Sequence, residues 1–304
     1  MAKNEEMHMK STALMAAAFV LSLSAAAYGQ GAAWEKVAEL KPTHKISIAG
    51  FLDEKRGITG GFKGATYYTE DGGNSWIKAA NKSGNRYGLE ILESGIALSC
   101  GDGGDNRISV DGGKTWSDMA QHGPNMLEHC KFMSFLDGKT GWIAAPGLLS
   151  STADSGATWN DVALPAGVEK IAEIALVPGG SEKVGFLLGT KGSLYSTVDG
   201  GAAWSSLAIA AGDGELAYSS DATASPVAAL RFTSPKEGLA ILYRKTPKAG
   251  WVALSTKDAG KTWKVEEITN EFNPASAVFL TQDGRHATFY YANRLLVFRR
   301  SAGS

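Results

Sequence analysis

The chain is short of net charge: 30 Lys and Arg stand against 31 Asp and Glu, leaving −1 over 304 residues. With no global field to gather a polyanion, nucleic acid is disfavoured as a partner. Long apolar runs are equally scarce. One occupies residues 13–27, behind Lys10. It falls short of the roughly twenty residues that a membrane-spanning helix needs, and no other segment comes near that length. Collagen repeats, coiled-coil heptads and polybasic tails are absent. So are the Gly-x-Ser-x-Gly elbow, the phosphate loop, the dinucleotide glycine fingerprint and the His-Glu-x-x-His zinc motif. No cofactor and no metal are therefore expected, and no catalytic residue is assigned.

The short N-terminal run is the hydrophobic stretch of a signal peptide, expected over residues 1–29, with small residues at Ala27-Tyr28-Gly29 before Gln30. Ala25-Ala26-Ala27 offers a second cleavage site, and Met7 or Met9 a second start. A retained anchor is the alternative. Without a cysteine after the run, no lipoprotein box is formed. Export to a periplasmic or secreted location follows, or to a lumen if the source is photosynthetic. Only two cysteines, Cys100 and Cys130, remain in the exported chain. An oxidising compartment allows them to pair, and two small buried hydrophobes are the other reading.

What the chain has in quantity is glycine, 37 residues, with eight tryptophans and nine tyrosines. Tight turns between short aromatic strands, an all-β fold, follow from that mixture. The turns repeat. Five segments, 69–76, 109–116, 152–159, 197–204 and 256–263, share the pattern Ser/Thr-x-Asp-x-Gly-x-Thr-Trp, departing from it only at Ser75 and Ala203. Their aspartates Asp71, Asp111, Asp154, Asp199 and Asp258 are spaced by 40, 43, 45 and 59 residues, the length of one four-stranded propeller blade. Each Asp can accept backbone N–H groups of its own turn, and the following Gly takes a backbone conformation closed to other residues. The tryptophans Trp76, Trp116, Trp159, Trp204 and Trp263 then bury their rings beneath the corner. A residue repeated five times is structural, not the centre of an asymmetric reaction.

A second element precedes most of the boxes: Phe51-Leu52-Asp53 to Gly57, Phe135-Leu136-Asp137 to Gly141, Phe232-Thr233-Ser234 to Gly238, and Phe279-Leu280-Thr281 to Gly284. It reads as an inner hairpin, so each unit has four strands. Trp34 lies one blade length before Trp76 with no inner strands of its own, while residues 277–298 supply three strands and no box. Pairing the two ends completes a last blade and removes unpaired edges. Residues 30–304 thus form one β-propeller domain, of six blades with seven as the alternative, closed by the N-terminal strand. Residues 210–229 are a polar insertion on its surface.

The boxes resemble the bacterial neuraminidase repeat, or Asp-box. The fuller unit, Phe-x-Asp-x-x-x-Gly-Trp through Thr-x-Asp-Gly-Gly-x-x-Trp, is similar to the photosystem II assembly and stability factor family over residues 34–300. That resemblance implies an exported, non-catalytic scaffold with a protein partner, and an arginine-rich patch on one face. Arg86, Arg107, Arg244 and Arg294 are the expected partner contacts, through bidentate pairing with carboxylates. They share the face opposite the boxes with Lys63, Lys131, Lys191, Lys245 and Lys248, and with the acids Asp102, Asp105, Glu169, Asp213 and Asp221. The bland alternative is a scatter of solubilising charge. A monomer is expected.

Two other functions compete. A sialidase-like hydrolase needs an Arg-Ile-Pro element, which the Arg56-Gly57-Ile58 stretch does not supply, and no spacing ties Arg231, Tyr290 or Tyr291 into a site. A carbohydrate-binding propeller would expose Trp142 and Trp251 on its pore face; burial between blades is the alternative. His122, His129 and Cys130 make a poor metal site on one loop. Calcium at residues 101–106 lacks the further oxygen ligands it needs.

Overall fold

The computed structural model describes residues 33–301 apart from 42–45, 62–64, 81–84, 102–104, 120–129, 146, 179–182, 191, 211–215, 217–228, 272–276 and 292. The expected signal peptide, most of the 210–229 insertion, Lys63, Lys191, Asp102, Asp213, Asp221, His122 and His129 lie outside the described residues. All the regular elements described are strands, and they sort into six antiparallel four-stranded sheets.

The first strand, β1 (Trp34–Leu40), belongs to the last sheet. Blade 1 is β2 (Ile48–Phe51), β3 (Gly57–Gly60), β4 (Thr66–Thr69) and β5 (Ile77–Lys78). Blade 2 is β6 (Arg86–Ile91), β7 (Ala97–Gly101), β8 (Arg107–Ser109) and β9 (Ser117–Asp118); blade 3 is β10 (Phe132–Phe135), β11 (Gly141–Ala145), β12 (Leu148–Thr152) and β13 (Asn160–Asp161). Blade 4 comprises β14 (Ile171–Leu176), β15 (Gly185–Gly189), β16 (Ser193–Thr197) and β17 (Ser205–Ala208). Blade 5 comprises β18 (Ala229–Phe232), β19 (Gly238–Arg244), β20 (Gly250–Thr256) and β21 (Lys264–Thr269). Blade 6 runs β22 (Ala277–Leu280), β23 (His286–Tyr291) and β24 (Arg294–Arg300), and takes β1 as its outer strand.

The ring closes on both counts that matter. Each inner strand packs on the next, β2 on β6, β6 on β10, β10 on β14, β14 on β18, β18 on β22, and β22 back on β2. At the seam β1 pairs antiparallel with β24, from Trp34 opposite Arg300 to Leu40 opposite Leu295, with one irregularity between Lys36 and Ala38. There are six blades, and the N-terminal strand completes the sixth.

The core lies between neighbouring blades, because both faces of each sheet are covered. Phe186 of blade 4 stacks on Phe232 of blade 5 with ring centroids 3.5 Å apart. Phe135 ends its inner strand and folds over Gly141, where a Cβ would stand 2.2 Å from the ring, so glycine alone fits there. The fourth copy of this hairpin is displaced by one residue from its sequence match. The amide of Leu52 bonds the carbonyl of Arg56, and the amide of Thr281 bonds that of His286, so Leu280, not Phe279, occupies the place of Phe51. Phe279 instead covers Gly50 of blade 1, where a Cβ would lie 2.6 Å from its ring.

The repeated turns connect the third and fourth strands. In the first, the Thr69 hydroxyl donates to Asp71 Oδ1 at 2.8 Å and accepts the Gly73 amide at 2.8 Å, and Asp71 accepts the Ser75 amide at 2.9 Å and the Ser75 hydroxyl at 2.6 Å. The same bonds recur at Asp111, Asp154 and Asp258; at Asp199 the hydroxyl bond is missing because residue 203 is Ala. Indole N–H groups bond carbonyls of the turn or of the preceding blade: Trp116 bonds Gly113, Trp204 bonds Ala163, and Trp263 bonds both Gly260 and Ala208. Cys100 on β7 and Cys130 just before β10 form a disulfide between blades 2 and 3, with Cα atoms 5.8 Å apart.

Candidate functional site

A four-stranded meander puts the first-to-second and third-to-fourth connections at one end of every blade. The opposite end therefore carries the start of the first and third strands and the end of the second. Arg86 begins β6, Arg107 begins β8, Arg244 ends β19 and Arg294 begins β24, so all four share the face opposite the repeated turns.

They do not form a free basic patch. Arg86 is 1% exposed and pairs with Asp105, Nη2 to Oδ2 at 2.8 Å, while its Nη1 donates to the Asp105 carbonyl at 2.6 Å. Arg107, also buried, spans Asp105 at 2.6 Å and Asp118 at 2.9 Å. Arg244 holds Glu267 through both terminal nitrogens, at 2.7 and 3.0 Å, and donates its Nε–H to the Lys248 carbonyl. Arg294 reaches Glu39 at 2.8 Å, and this contact holds the Glu39 carboxyl below its usual range. The bidentate chemistry expected of these arginines is spent inside their own blades. Among the described residues beside them, Asp118 and Glu267, the part-exposed Arg294–Glu39 pair, and the exposed Lys245 and Lys248 reach solvent.

Trp142 and Trp251 are 2% and 0% exposed, each packed in an interblade core. Neither can stack on a sugar: both take the burial between blades that was the alternative to the pore-face placement of a carbohydrate-binding propeller.

A cluster that sequence reading did not assemble lies on the propeller axis. The next-to-last residues of the six inner strands are Gly50, Glu90, Ser134, Ala175, Arg231 and Phe279, one layer around the channel. Blades 2 and 5 face each other across a ring of six. Across it, Arg231 Nη2 donates to Glu90 Oε2 at 2.6 Å. Glu173, two residues before Ala175 on β14, is enclosed by protein yet keeps some contact with solvent, and its Oε1 accepts the Ile174 amide at 3.0 Å.

Burial dominates the electrostatics here. It pushes the Glu173 carboxyl up to about 8, against the pull of Arg231 and with help from the Glu90 charge. Burial likewise raises Glu90 to about 7 despite the Arg231 contact. The three residues are far apart in sequence, Glu90 and Arg231 by 141 positions. The readable signal was a charged residue inside an otherwise apolar inner strand, as in Ile-Ala-Glu-Ile-Ala-Leu and Ala-Leu-Arg-Phe. Among the described residues no group of three His, Cys, Asp or Glu could hold a metal ion, and no helix is long and apolar enough to cross a membrane.

A closed ring of six four-stranded blades, with an ion pair across its axis and ion-paired arginines on one face, defines a β-propeller. No protein-family model and no curated protein sequence matches the chain. Among solved structures it is similar to YCF48 bound to a D1 peptide, at 14% identity and a TM-score of 0.47, over 90% of this chain and 97% of that one. It is similar also to the WD40 propeller domain of Doa1, at 9% identity and a TM-score of 0.54, over 88% and 97% of the two chains. A third similarity is to the GH74 xyloglucanase of Xanthomonas campestris, at 15% identity and a TM-score of 0.51, over 84% of this chain and 45% of that one. In fold the chain is a propeller, like the Doa1 domain and the GH74 xyloglucanase.

Proposed function

We propose that this is an exported, non-catalytic, monomeric scaffold that binds a protein partner through the face opposite its repeated turns. The observation that carries the reading is the polar array on that face. Arg107 and Arg244 hold Asp118 and Glu267 in fixed, exposed positions, next to Lys245 and Lys248. Rigidly held charges of both signs suit recognition of another protein, because complementary charge fixes register and steers encounter. The turns at the other face consume their polar groups internally and leave little for a ligand. Export is supported by the signal pattern of residues 1–29 and by the disulfide, which persists in an oxidising compartment.

The test is tagged capture from an envelope extract with two surface variants. Charge reversal at Lys245 and Lys248 should abolish recovery of the partner that the parent protein retains, while Val110→Glu on the turn face should leave it intact. Loss in Val110→Glu with retention in the lysine variant would overturn the assignment of the face. The pair of axial glutamates favours one rival, a glycan-active enzyme. Turnover of a fluorogenic sialoside that Glu173→Gln abolishes would replace the scaffold reading.

A further inference from the structure

The first-to-second strand loops of blades 6, 1 and 2 line a cavity of about 170 Å³. Phe51 and Ile91 end their inner strands and Thr281 follows Leu280, so the cavity lies at the end of the axis on the turn face. It is built by the inner hairpins and not by the repeated turns. An apolar cavity of about 150 Å³ holds a benzene ring, so this one suits a molecule of roughly six to ten non-hydrogen atoms. Its apolar lining is Phe51 and Ile91, both buried, and the half-buried Leu52. Gln282 reaches past blade 1 and accepts the Glu93 amide with Oε1 at 2.9 Å, which fixes the loop of blade 6 against that of blade 2.

Two of the lining carboxylates are already spent. Asp53 accepts the Lys55 and Arg56 amides at 2.9 and 2.7 Å and the Arg56 Nε–H at 2.8 Å. Asp283 accepts the Thr281 hydroxyl at 2.6 Å and the Arg285 amide at 2.9 Å. Among the described residues, the terminal nitrogens of Arg56, the Glu93 carboxylate and the Gln282 side-chain nitrogen have no hydrogen-bond partner. The cavity thus offers one guanidinium fork, one carboxylate and one amide donor beside an apolar wall. A lone anion would meet Glu93 and a lone cation would meet Arg56, whereas a ligand with both charges satisfies the two together. The geometry points to a binding site for a small zwitterion, an α-amino acid with an aliphatic side chain. Its carboxylate sits on Arg56 and the Gln282 nitrogen, its ammonium on Glu93, and its side chain against Phe51, Leu52 and Ile91. Asp53 already holds the guanidinium by Nε, so Arg56 gives up little freedom on binding. The site stands apart from the charged face at the other end of the blades and does not depend on the partner proposed for it.

Titration of the whole exported chain with L-leucine tests this, followed by NMR at the backbone amides of Leu52, Arg56, Glu93 and Gln282. One saturable site with a Kd below about 1 mM is expected. Leucinamide, which lacks the carboxylate, and N-acetyl-leucine, which lacks the ammonium, should each bind at least about tenfold more weakly. Arg56→Gln should weaken L-leucine by about tenfold and leave leucinamide unchanged, while Glu93→Gln should weaken L-leucine equally and leave N-acetyl-leucine unchanged. No saturation by L-leucine up to about 10 mM, equal affinity for the three probes, or L-leucine binding that survives both substitutions would overturn the site. Should Arg56→Gln not fold, the three probes on the parent protein and Glu93→Gln, which removes no hydrogen bond of the fold, decide without it.

Discussion

Trp34 Nε1 donates to Glu266 Oε2 at 3.2 Å, a bond between residues 232 positions apart that fastens the first strand to the blade preceding the seam. Arg300, opposite Trp34 in the β1–β24 pair, grips the same carboxylate at 2.6 and 2.9 Å. Burial would raise the Glu266 carboxyl, but the Arg300 hydrogen bond and charge outweigh it and leave it lowered. Trp34→Ala removes a ring that is 3% exposed and one donor to a buried carboxylate. The expected loss is about 3–5 kcal/mol in chemical denaturation, with the seam opening first. A loss under about 1 kcal/mol would mean that the ring closes without it.

Two of the repeated turns carry strain that the others avoid. Where three turns place glycine, the remaining two have Ser155 at φ 62° and Ala259 at φ 63°. A side chain in that left-handed conformation costs about 1–2 kcal/mol, and glycine gives back part of the gain through unfolded-chain entropy. Ala259→Gly should therefore stabilise the protein by about 0.5–1 kcal/mol. Destabilisation in equilibrium unfolding would contradict this.

Acid should weaken the turns. Hydrogen bonds from Ser75 lower Asp71 to about 2, and those from Thr262 do the same for Asp258; Asp111, Asp154 and Asp199 are lowered as well. A depressed carboxyl contributes stability that is present above its unfolded value, 3.8, and lost as pH falls toward its folded one. Thermal midpoints should thus drop between pH 4 and pH 2. Asp258→Asn should lower the midpoint at pH 7 and flatten the drop, which differential scanning calorimetry can follow.

Base should weaken the axis, with the opposite sign. Glu90 and Glu173 are raised from 4.5 to about 7 and about 8, so their contribution is fully present below pH 4.5 and lost as pH rises through those values. Glu173→Gln, which mimics the protonated form, should unfold at a higher temperature than the parent at pH 9 and at a similar one at pH 5. An equal difference at both pH values would show that ionisation of Glu173 does not matter to stability.

The disulfide closes a loop with a sequence separation of 30. Chain-entropy arguments give it about 3–4 kcal/mol. The Cys100→Ser, Cys130→Ser double variant should lose that much at one pH and temperature, and reduction of the parent protein should match it. A fall confined to the reduced parent would point to damage elsewhere.

Much of the ring was legible from residue order. The five corners are local: Asp71 and its partners lie within six residues, so their spacing showed directly in the chain. The inner hairpins were legible too, except that Phe279 matched Phe51 by type and sits one place earlier, because covering Gly50 of the next blade matters more than the local pattern. The arginines were placed on the correct face by the alternation of strand ends. Most of their pairing was not readable, because Asp118, Glu267 and Glu39 meet Arg107, Arg244 and Arg294 only when sheets form; Asp105, two residues from Arg107, was the exception. The axial cluster was missed for the same reason at longer range.

Sequence by itself determined the corner chemistry, which rests on short-range hydrogen bonding repeated at a near-constant interval, and that interval pointed to six blades, with seven as the alternative, and to termini that share the last sheet; the tertiary structure decided on six, with Trp34 paired to Arg300. Only the tertiary structure decided which charges are spent and which are free, and that Glu90, Glu173 and Arg231 share one axis. Closing a ring brings residues from opposite blades within a few ångströms and removes their water, and both effects depend on the whole circle and not on any single turn.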